Sequence, residues 1–426
     1  MYQLETNCIH GGYSPKNGES RQIPIIPSTT FKYESTEQMG RLFDLAESGY
    51  FYSRVGNPTC DHVAARITKL EGGAAGILTS SGQAAIFYAI VNLCKAGDHL
   101  ICTNEVYGGT YNLIAVTLKK FGIESTFLSV NSTNDEIKKA IQPNTKLIYA
   151  ETVSNPSLAI LDIERFAKVA HENNLPLVID NTFPTPINCQ PIKYGADIVI
   201  HSATKYLDGH SSLICGVVID SGKFNWECDK VRFAELCEPD ESYHGLIYTK
   251  QFGNIAYLVK MIVQLMRDIG ACNSANNAYM LGTHIESLPL RIKKHSDNAL
   301  AVAKFLEGDK RIKSVNCPML PSSKYYDLAK KYLPNGICGV ISFELNANKE
   351  KTIKFLDSLK LISIATHVAD AKSCALHPAS HTHRQLSPVE LKAAGVSEGL
   401  IRISVGIENE NDIISDIKQA LDIAFS

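Results

Sequence analysis

Five short apolar runs, each halted by a polar residue or a small polar turn, constrain this chain more than anything else in it. Ala75–Thr79 runs into Ser80-Ser81-Gly82-Gln83, and the run 99–104 is soon followed by Tyr107-Gly108-Gly109-Thr110. Lys146–Glu151 gives way to Thr152-Val153-Ser154-Asn155-Pro156. The run from Leu175 ends in Asp180, and the run from Ala196 ends in His201-Ser202-Ala203-Thr204-Lys205. Rich in Val and Ile and too short for helices, these runs read as buried strands. A further strand is expected at 124–130. Helical patterns fill the intervals: 61–71, closed by Glu71-Gly72-Gly73, the apolar stretch after Ala85, Tyr107 to Phe121, and 162–173. Such alternation predicts an α/β fold with a mostly parallel sheet covered on both faces. Ligands of open α/β sheets bind outside the carboxyl ends of the strands. Ser81, Tyr107, Asn155, Asp180 and Lys205 are therefore expected to face one crevice.

Outside this core the pattern changes. Residues 1–60 read as an irregular arm, expected either to wrap its own domain or to reach a neighbouring subunit. Within it, Tyr52 and Arg54 fall on one side of a segment expected to be extended, where a phenol and a guanidinium can converge on an anion. Residues 61–289 form the large domain in this reading. Its polar stretch 221–250, holding EPDESYHG, reads as a surface insertion. Helices are expected over 254–268 and 273–308, with Pro289 as a hinge near a boundary. Residues 290–426 read as a smaller α+β domain with strands at 340–345, 361–366 and 400–406.

Composition removes several classes of function. The 426 residues carry a formal net charge of −2, which offers no basic footprint for nucleic acid or an anionic membrane. No apolar run approaches a membrane span, and the first residues, MYQLETNCIHGG, lack the make-up of a signal peptide. The 12 cysteines are scattered without a CxxC pair, as expected of free thiols in a reducing cytoplasm.

Two constellations carry chemistry. Asp180 and Lys205, at the ends of neighbouring strands, are the acid and the amine that pyridoxal phosphate requires. They equally suit a structural ion pair with Thr204 as a helix cap. The turn Ser80-Ser81-Gly82-Gln83 between strand and helix is either a phosphate cradle or simply a good N-cap. It is no P-loop, and EGGAAG at 71–76 fails the dinucleotide spacing. His377, His381 and His383 lie close together without an acidic partner among them, and no metal is expected there.

The motifs YSRVGNPT (52–59), SSGQAA (80–85), YGGTYN (107–112), ETVSNP (151–156), VIDNTFPTP (178–186), HSATKY (201–206), HPASHTH (377–383) and LIRISVGIE (400–408) together resemble the pyridoxal-phosphate enzymes of cysteine and methionine metabolism. That resemblance spans essentially the whole chain. The EPDESYHG insertion, QLMRDIGAC and ADAKSCALHPAS are most similar to its O-acetylhomoserine sulfhydrylase branch. Gly109 stands where methionine γ-lyases usually carry a cysteine. The resemblance implies an aspartate-aminotransferase-like (fold type I) architecture and a pyridoxal 5′-phosphate cofactor. It places the chain in sulfur amino-acid metabolism and methionine biosynthesis.

It further implies that Lys205 binds the cofactor and moves protons, that Asp180 holds the pyridine nitrogen protonated, and that Tyr107 stacks on the ring. Ser81, Gly82, Gln83, Ser202 and Thr204 would hold the phosphate, with Tyr52 and Arg54 coming from another subunit of a dimer that pairs into a homotetramer. Asn155 would bond the ring oxygen beside the substrate, and Arg402 would grip the substrate carboxylate. The implied reaction is a transfer: γ-replacement on O-acetylhomoserine by sulfide, a thiol or a sulfur carrier, giving homocysteine or methionine and acetate. γ-Elimination and cystathionine γ-synthase-like transsulfuration stay open. Two departures stand out: the family's glycine-rich run after the lysine is 207–215 here, with fewer glycines, and His367 stands on the substrate side where the family usually has Ser or Asn.

Overall fold

The computed structural model describes residues 2–378, 397 and 399–426. Seven strands make the larger sheet: β1 (Ala75–Thr79), β2 (His99–Thr103), β3 (Glu124–Leu128), β4 (Thr145–Glu151), β5 (Leu177–Asp180), β6 (Ile198–Ser202) and β7 (Gly216–Asp220). Their order is β1-β7-β6-β5-β4-β2-β3, parallel from β6 through β3, with β7 antiparallel to both its neighbours. Leu177, Ile179, Val199, Val217 and Ile219 enter one hydrophobic core. Val178, Ile198, Ile200 and Val218 enter another. Strict alternation between two dry faces explains why these strands read as continuous apolar runs rather than as a polar–apolar alternation.

The second sheet has five strands: β8 (Ile312–Asn316), β9 (Val340–Leu345), β10 (Ser363–Ile364), β11 (Cys374–Leu376) and β12 (Leu400–Ser404). Their order is β10-β11-β12-β9-β8, with only the β10–β11 pair parallel. Ile341, Phe343, Ile401 and Ile403 pack in a third core with Val302, Leu306, Ile417 and Leu421 from the helices Leu288–Glu307 and Glu410–Phe425. The architecture is thus a mostly parallel, doubly covered sheet joined to a smaller mixed one. No helix among the described residues is long and apolar enough to cross a membrane.

Several local expectations change. The expected helix 273–308 is two helices, Ala275–Ile285 and Leu288–Glu307, and Pro289 lies in the first turn of the second, where its missing N–H costs nothing. The arm expected to be irregular contains the helices Leu4–His10 and Thr36–Phe43. Residues 221–250 are not wholly a surface insertion: Trp226, Phe233, Leu236 and Tyr248 are buried, and Trp226 stacks on Tyr257 at 5.2 Å. Exposure is concentrated at Lys230 and Val231 and at the tip around 241–245. The strand expected at 361–366 shrinks to Ser363–Ile364, and the edge strand β8 and short β11 had no clear apolar signature.

Candidate active site

The carboxyl ends of the parallel strands open onto a cavity of about 240 Å³. Ser81, Tyr107, Asn155, Asp180 and Lys205, one after each run singled out in the sequence, all line it. Gly82, Gln83, Ser202, Thr204 and Arg402 line it too.

One end is built as an anion cradle. Ser81 caps the helix Gly82–Val91, its Oγ accepting from Ala84 N at 3.1 Å. The N–H groups that follow have no intrahelical acceptor and face the cavity with the positive end of the helix dipole. A side chain at Gly82 would put Cβ 2.6 Å from Ser202 Cβ, and one at Gly216 would put it 2.1 Å from Ser81 O. These two glycines let the turn settle onto the ends of β6 and β7. Gln83 Oε1 is buried without a partner among the described residues. Thr204 differs from expectation: its Oγ1 accepts from Cys215 N at 3.0 Å and donates to Cys215 O at 3.2 Å, so it ties its own loop together.

Two carboxyl groups lie at the centre, where the sequence reading named one. Asp180 and Glu151 are register partners on β5 and β4. Asp180 Oδ1 accepts from Thr182 N at 2.9 Å and from Thr182 Oγ1 at 2.5 Å. Glu151 Oε1 accepts from Tyr107 N at 2.7 Å. Burial lifts both carboxyls above their ordinary range, Glu151 much further because the Asp180 charge adds to it. Donors oppose the lift on both, more effectively on Asp180, so of the pair Asp180 is the stronger acid and Glu151 the one that holds a proton more tightly. Thr182 and Glu151 were missed as site residues. The periodicity of the runs held the signal for Glu151, since it ends its strand level with Asp180.

Lys205 Nζ lies 3.2 Å from His367 Nδ1. Burial lowers the amine's pKa and the Arg402 charge lowers it further. Arg402 is buried in the middle of β12; its Nη1 donates to Asn155 Oδ1 at 3.1 Å and its Nη2 to His367 O at 3.3 Å. Arg402 Nε is buried with no partner among the described residues. Tyr107 is half-exposed; a side chain at Gly109 would put Cβ 2.5 Å from its ring and 2.5 Å from Gln83 Nε2. A larger residue here would displace the Tyr107 ring or the Gln83 amide.

Tyr52 and Arg54 are not in this cavity. Their segment is a turn rather than extended, with Val55 N and Gly56 N both donating to Tyr52 O. Both side chains are exposed, the Arg54 guanidinium 5.3 Å from the Tyr52 ring centroid. In 207–215, Ser212 Oγ donates to Asp208 Oδ1 and Ser211 Oγ to Asp370 Oδ2, each at 2.8 Å. The serines therefore brace the loop and link it to the small-sheet side. His377 is buried, while His381 and His383 lie outside the described residues.

A buried carboxylate, an amine of lowered basicity and an anion cradle around one cavity define a site for pyridoxal phosphate at the edge of an open α/β sheet. Comparison with known proteins agrees. The family model for Cys/Met metabolism PLP-dependent enzymes matches residues 5–422. The chain is 44% identical over 430 residues to an O-acetyl-L-homoserine sulfhydrylase of Leptospira meyeri, covering 99% of this chain and 97% of the relative. It is 44% identical to a homocysteine synthase of Schizosaccharomyces pombe, covering 99% and 98%. A solved structure of a Campylobacter jejuni protein assigned to the O-acetylhomoserine (thiol)-lyases superposes with a TM-score of 0.95 at 39% identity, over 99% of this chain and 100% of that one. That protein carries a pyridoxyl-lysine phosphate at its position 205. The chain belongs to the Cys/Met metabolism PLP-dependent enzymes, and its cofactor is pyridoxal 5′-phosphate.

Proposed function

We propose that this enzyme is a transferase that replaces the γ-substituent of O-acetylhomoserine with sulfide or a thiol, releasing acetate and forming homocysteine or its S-alkyl counterpart. The observation that carries the reading is the convergence of Lys205, Asp180 and Arg402 on one cavity. It is supported by relatives named for O-acetylhomoserine sulfhydrylation and homocysteine synthesis. When bound, pyridoxal phosphate supplies an electron sink that acidifies the protons of the attached amino acid.

The chain's own groups do the rest. Lys205 anchors the cofactor and, once released, moves protons at Cα and Cβ as a general base of suitably lowered pKa. Asp180 places a fixed negative charge against the pyridine nitrogen. Ser81, the Gly82 and Gln83 N–H groups and Ser202 hold the phosphate. Tyr107 covers the ring face, and Asn155 donates to the ring oxygen. Arg402 fixes the substrate carboxylate, with its buried unpartnered Nε as one of the donors, and orients the amine for attack. His367 stands on the substrate side of Lys205.

The exposed pair Tyr52 and Arg54 lies outside its own chain's cavity and suits the phosphate end of a second subunit's site. In this proposal the arm 1–60 reaches across a dimer, and dimers pair into a tetramer. The large domain spans 61–289 and the small one 290–426, working in the cytoplasm, where the free thiols of the described chain would stay reduced.

The test is an assay of O-acetylhomoserine with and without sulfide, following homocysteine and 2-oxo acid. Sulfide-dependent homocysteine is expected. Oxo-acid release at one rate in both conditions would make the enzyme a γ-lyase instead. Mixing Arg54→Ala with Lys205→Ala chains should restore part of the activity that each lacks, and a monomer by light scattering would exclude the shared site.

A further inference from the structure

Among the described residues the imidazole of His367 has one side-chain hydrogen bond, and it is to the lysine of the site. Its Nδ1 lies 3.2 Å from Lys205 Nζ, while its Nε2 is buried with no partner among the described residues. Nζ carries hydrogens in either protonation state, and we assign the pair with Nζ donating to the Nδ1 lone pair and the ring proton on Nε2, the arrangement that leaves the lone pair of a neutral amine free. The segment is fixed by its backbone. His367 O accepts from Arg402 Nη2 at 3.3 Å and from Cys374 Sγ at 3.2 Å, and Ala369 N donates to Ser404 Oγ at 2.8 Å. Ala369 sits in the left-handed region, φ 71°, so the chain turns sharply just past the histidine. The ring is thus aimed at Lys205 by an over-determined backbone, with no other side-chain partner among the described residues.

We propose that His367 is a positioning residue for Lys205: its Nδ1 receives the ε-amine whenever that amine is not joined to the cofactor, and holds it poised to return. A free lysine amine on a four-carbon stem samples many rotamers, and a fixed acceptor removes most of that search. The inference rests on the pyridoxal-phosphate reading of Lys205. The charged and titratable groups around the ring are Lys205, Arg402, Asp370, Asp208 and Cys374. Burial and then the Lys205 charge lower the imidazole's pKa, which favours the neutral ring that can accept.

The test uses the full chain stripped of cofactor and remixed with pyridoxal phosphate, with absorbance reporting capture by Lys205 from about pH 5 to 9. Wild type is compared with His367→Asn, which keeps an acceptor near Nδ1 that cannot be protonated, and with His367→Leu, which keeps bulk only. Above the imidazole's pKa, leucine should slow capture about tenfold, the worth of one hydrogen bond, and asparagine should stay within about threefold of wild type. Lys205's own titration gives a limb common to all three. A second, more acidic limb should appear in wild type alone, where protonation turns Nδ1 from acceptor to donor. Capture by the leucine variant at the wild-type rate, or by asparagine as slowly as by leucine, overturns the proposal. If the leucine variant does not fold by circular dichroism, the acid limb decides: its persistence in His367→Asn overturns the proposal and its loss supports it. A wild type that captures no cofactor at Lys205 overturns the underlying reading and this one with it.

Discussion

The cavity has two walls made by different means. On the large-sheet wall each functional group follows a strand of one sheet, and neighbours in register are neighbours in the site. Glu151 pairs with Asp180, and Gly216 pairs with both Thr79 and Ser202. On the small-sheet wall Arg402 lies mid-strand in β12, opposite Ser342 and Leu376, and Thr366 and Val368 line the cavity from the β10–β11 connection, which also carries His367. The first wall is a rigid frame buried on both faces. The second is a mixed, mostly antiparallel sheet plus a turning loop. The contrast assigns cofactor chemistry to the frame and substrate recognition to the sheet and loop, and it can be broken one residue at a time.

The largest effect is expected at Lys205. Lys205→Ala should lower kcat/KM by at least ~10²–10⁴-fold and abolish the absorbance of lysine-bound pyridoxal phosphate, read by steady-state assay and spectrum. Retained activity in that variant would remove the lysine from the mechanism. Next comes the carboxyl pair. Asp180→Asn deletes the charge that faces the pyridine nitrogen and should cost roughly 10²–10³-fold in kcat. Glu151→Gln mimics the protonated acid, the form that its raised pKa favours, and should cost less than about threefold. The reverse ranking would mean that Glu151 carries the charge.

Arg402→Leu tests the other wall. Losing a buried charge-assisted contact should raise KM so that kcat/KM falls about 10²-fold, while the cofactor spectrum survives. Its pH signature has a definite sign. The Lys205 amine attacks only when neutral, so capture of pyridoxal phosphate rises as pH passes through its pKa. Arg402 is the second cause, after burial, that lowers this pKa. Without the guanidinium the pKa rises and the limb moves to higher pH. A limb that stays in place would show that burial alone sets the lysine.

Legibility follows the same division. The frame could be read because a strand buried on both faces is a continuous apolar run, and the residue that stops it must lie at the sheet's edge. Ser81, Tyr107, Asn155, Asp180 and Lys205 were found that way. Glu151 escaped although it ends its strand as Asp180 does, because the turn after it offered Asn155 as that strand's functional residue. Thr182 escaped because its role appears only in its bonds to Asp180 and Ser202 N. The small sheet was harder to read. β9 and β12 were legible at 340–345 and 400–406, but β8 is half polar and β11 has three residues, so no local period announces those two. Only the family likeness, not any local pattern, pointed to Arg402 and His367. The segment 226–237 looked like an insertion because its buried aromatics are spaced along short helical turns rather than along one amphipathic helix.

The smallest effect on chemistry is expected far from the cavity. Asp416, on the terminal helix, accepts from Lys360 N, Leu361 N and Ile362 N, each at 2.9 Å. One carboxylate thereby fixes the start of the segment that runs through β10 to His367. Asp416→Ala leaves three N–H groups without that acceptor, one of them buried, and should destabilise the chain by about 2–3 kcal/mol in denaturant unfolding. If the small-sheet wall is positioned as a unit, the variant should bind cofactor normally at low temperature and raise KM by no more than about threefold. A changed cofactor spectrum would mean instead that strain in the small sheet reaches Lys205. The two walls would then be coupled through the His367 contact rather than assembled independently.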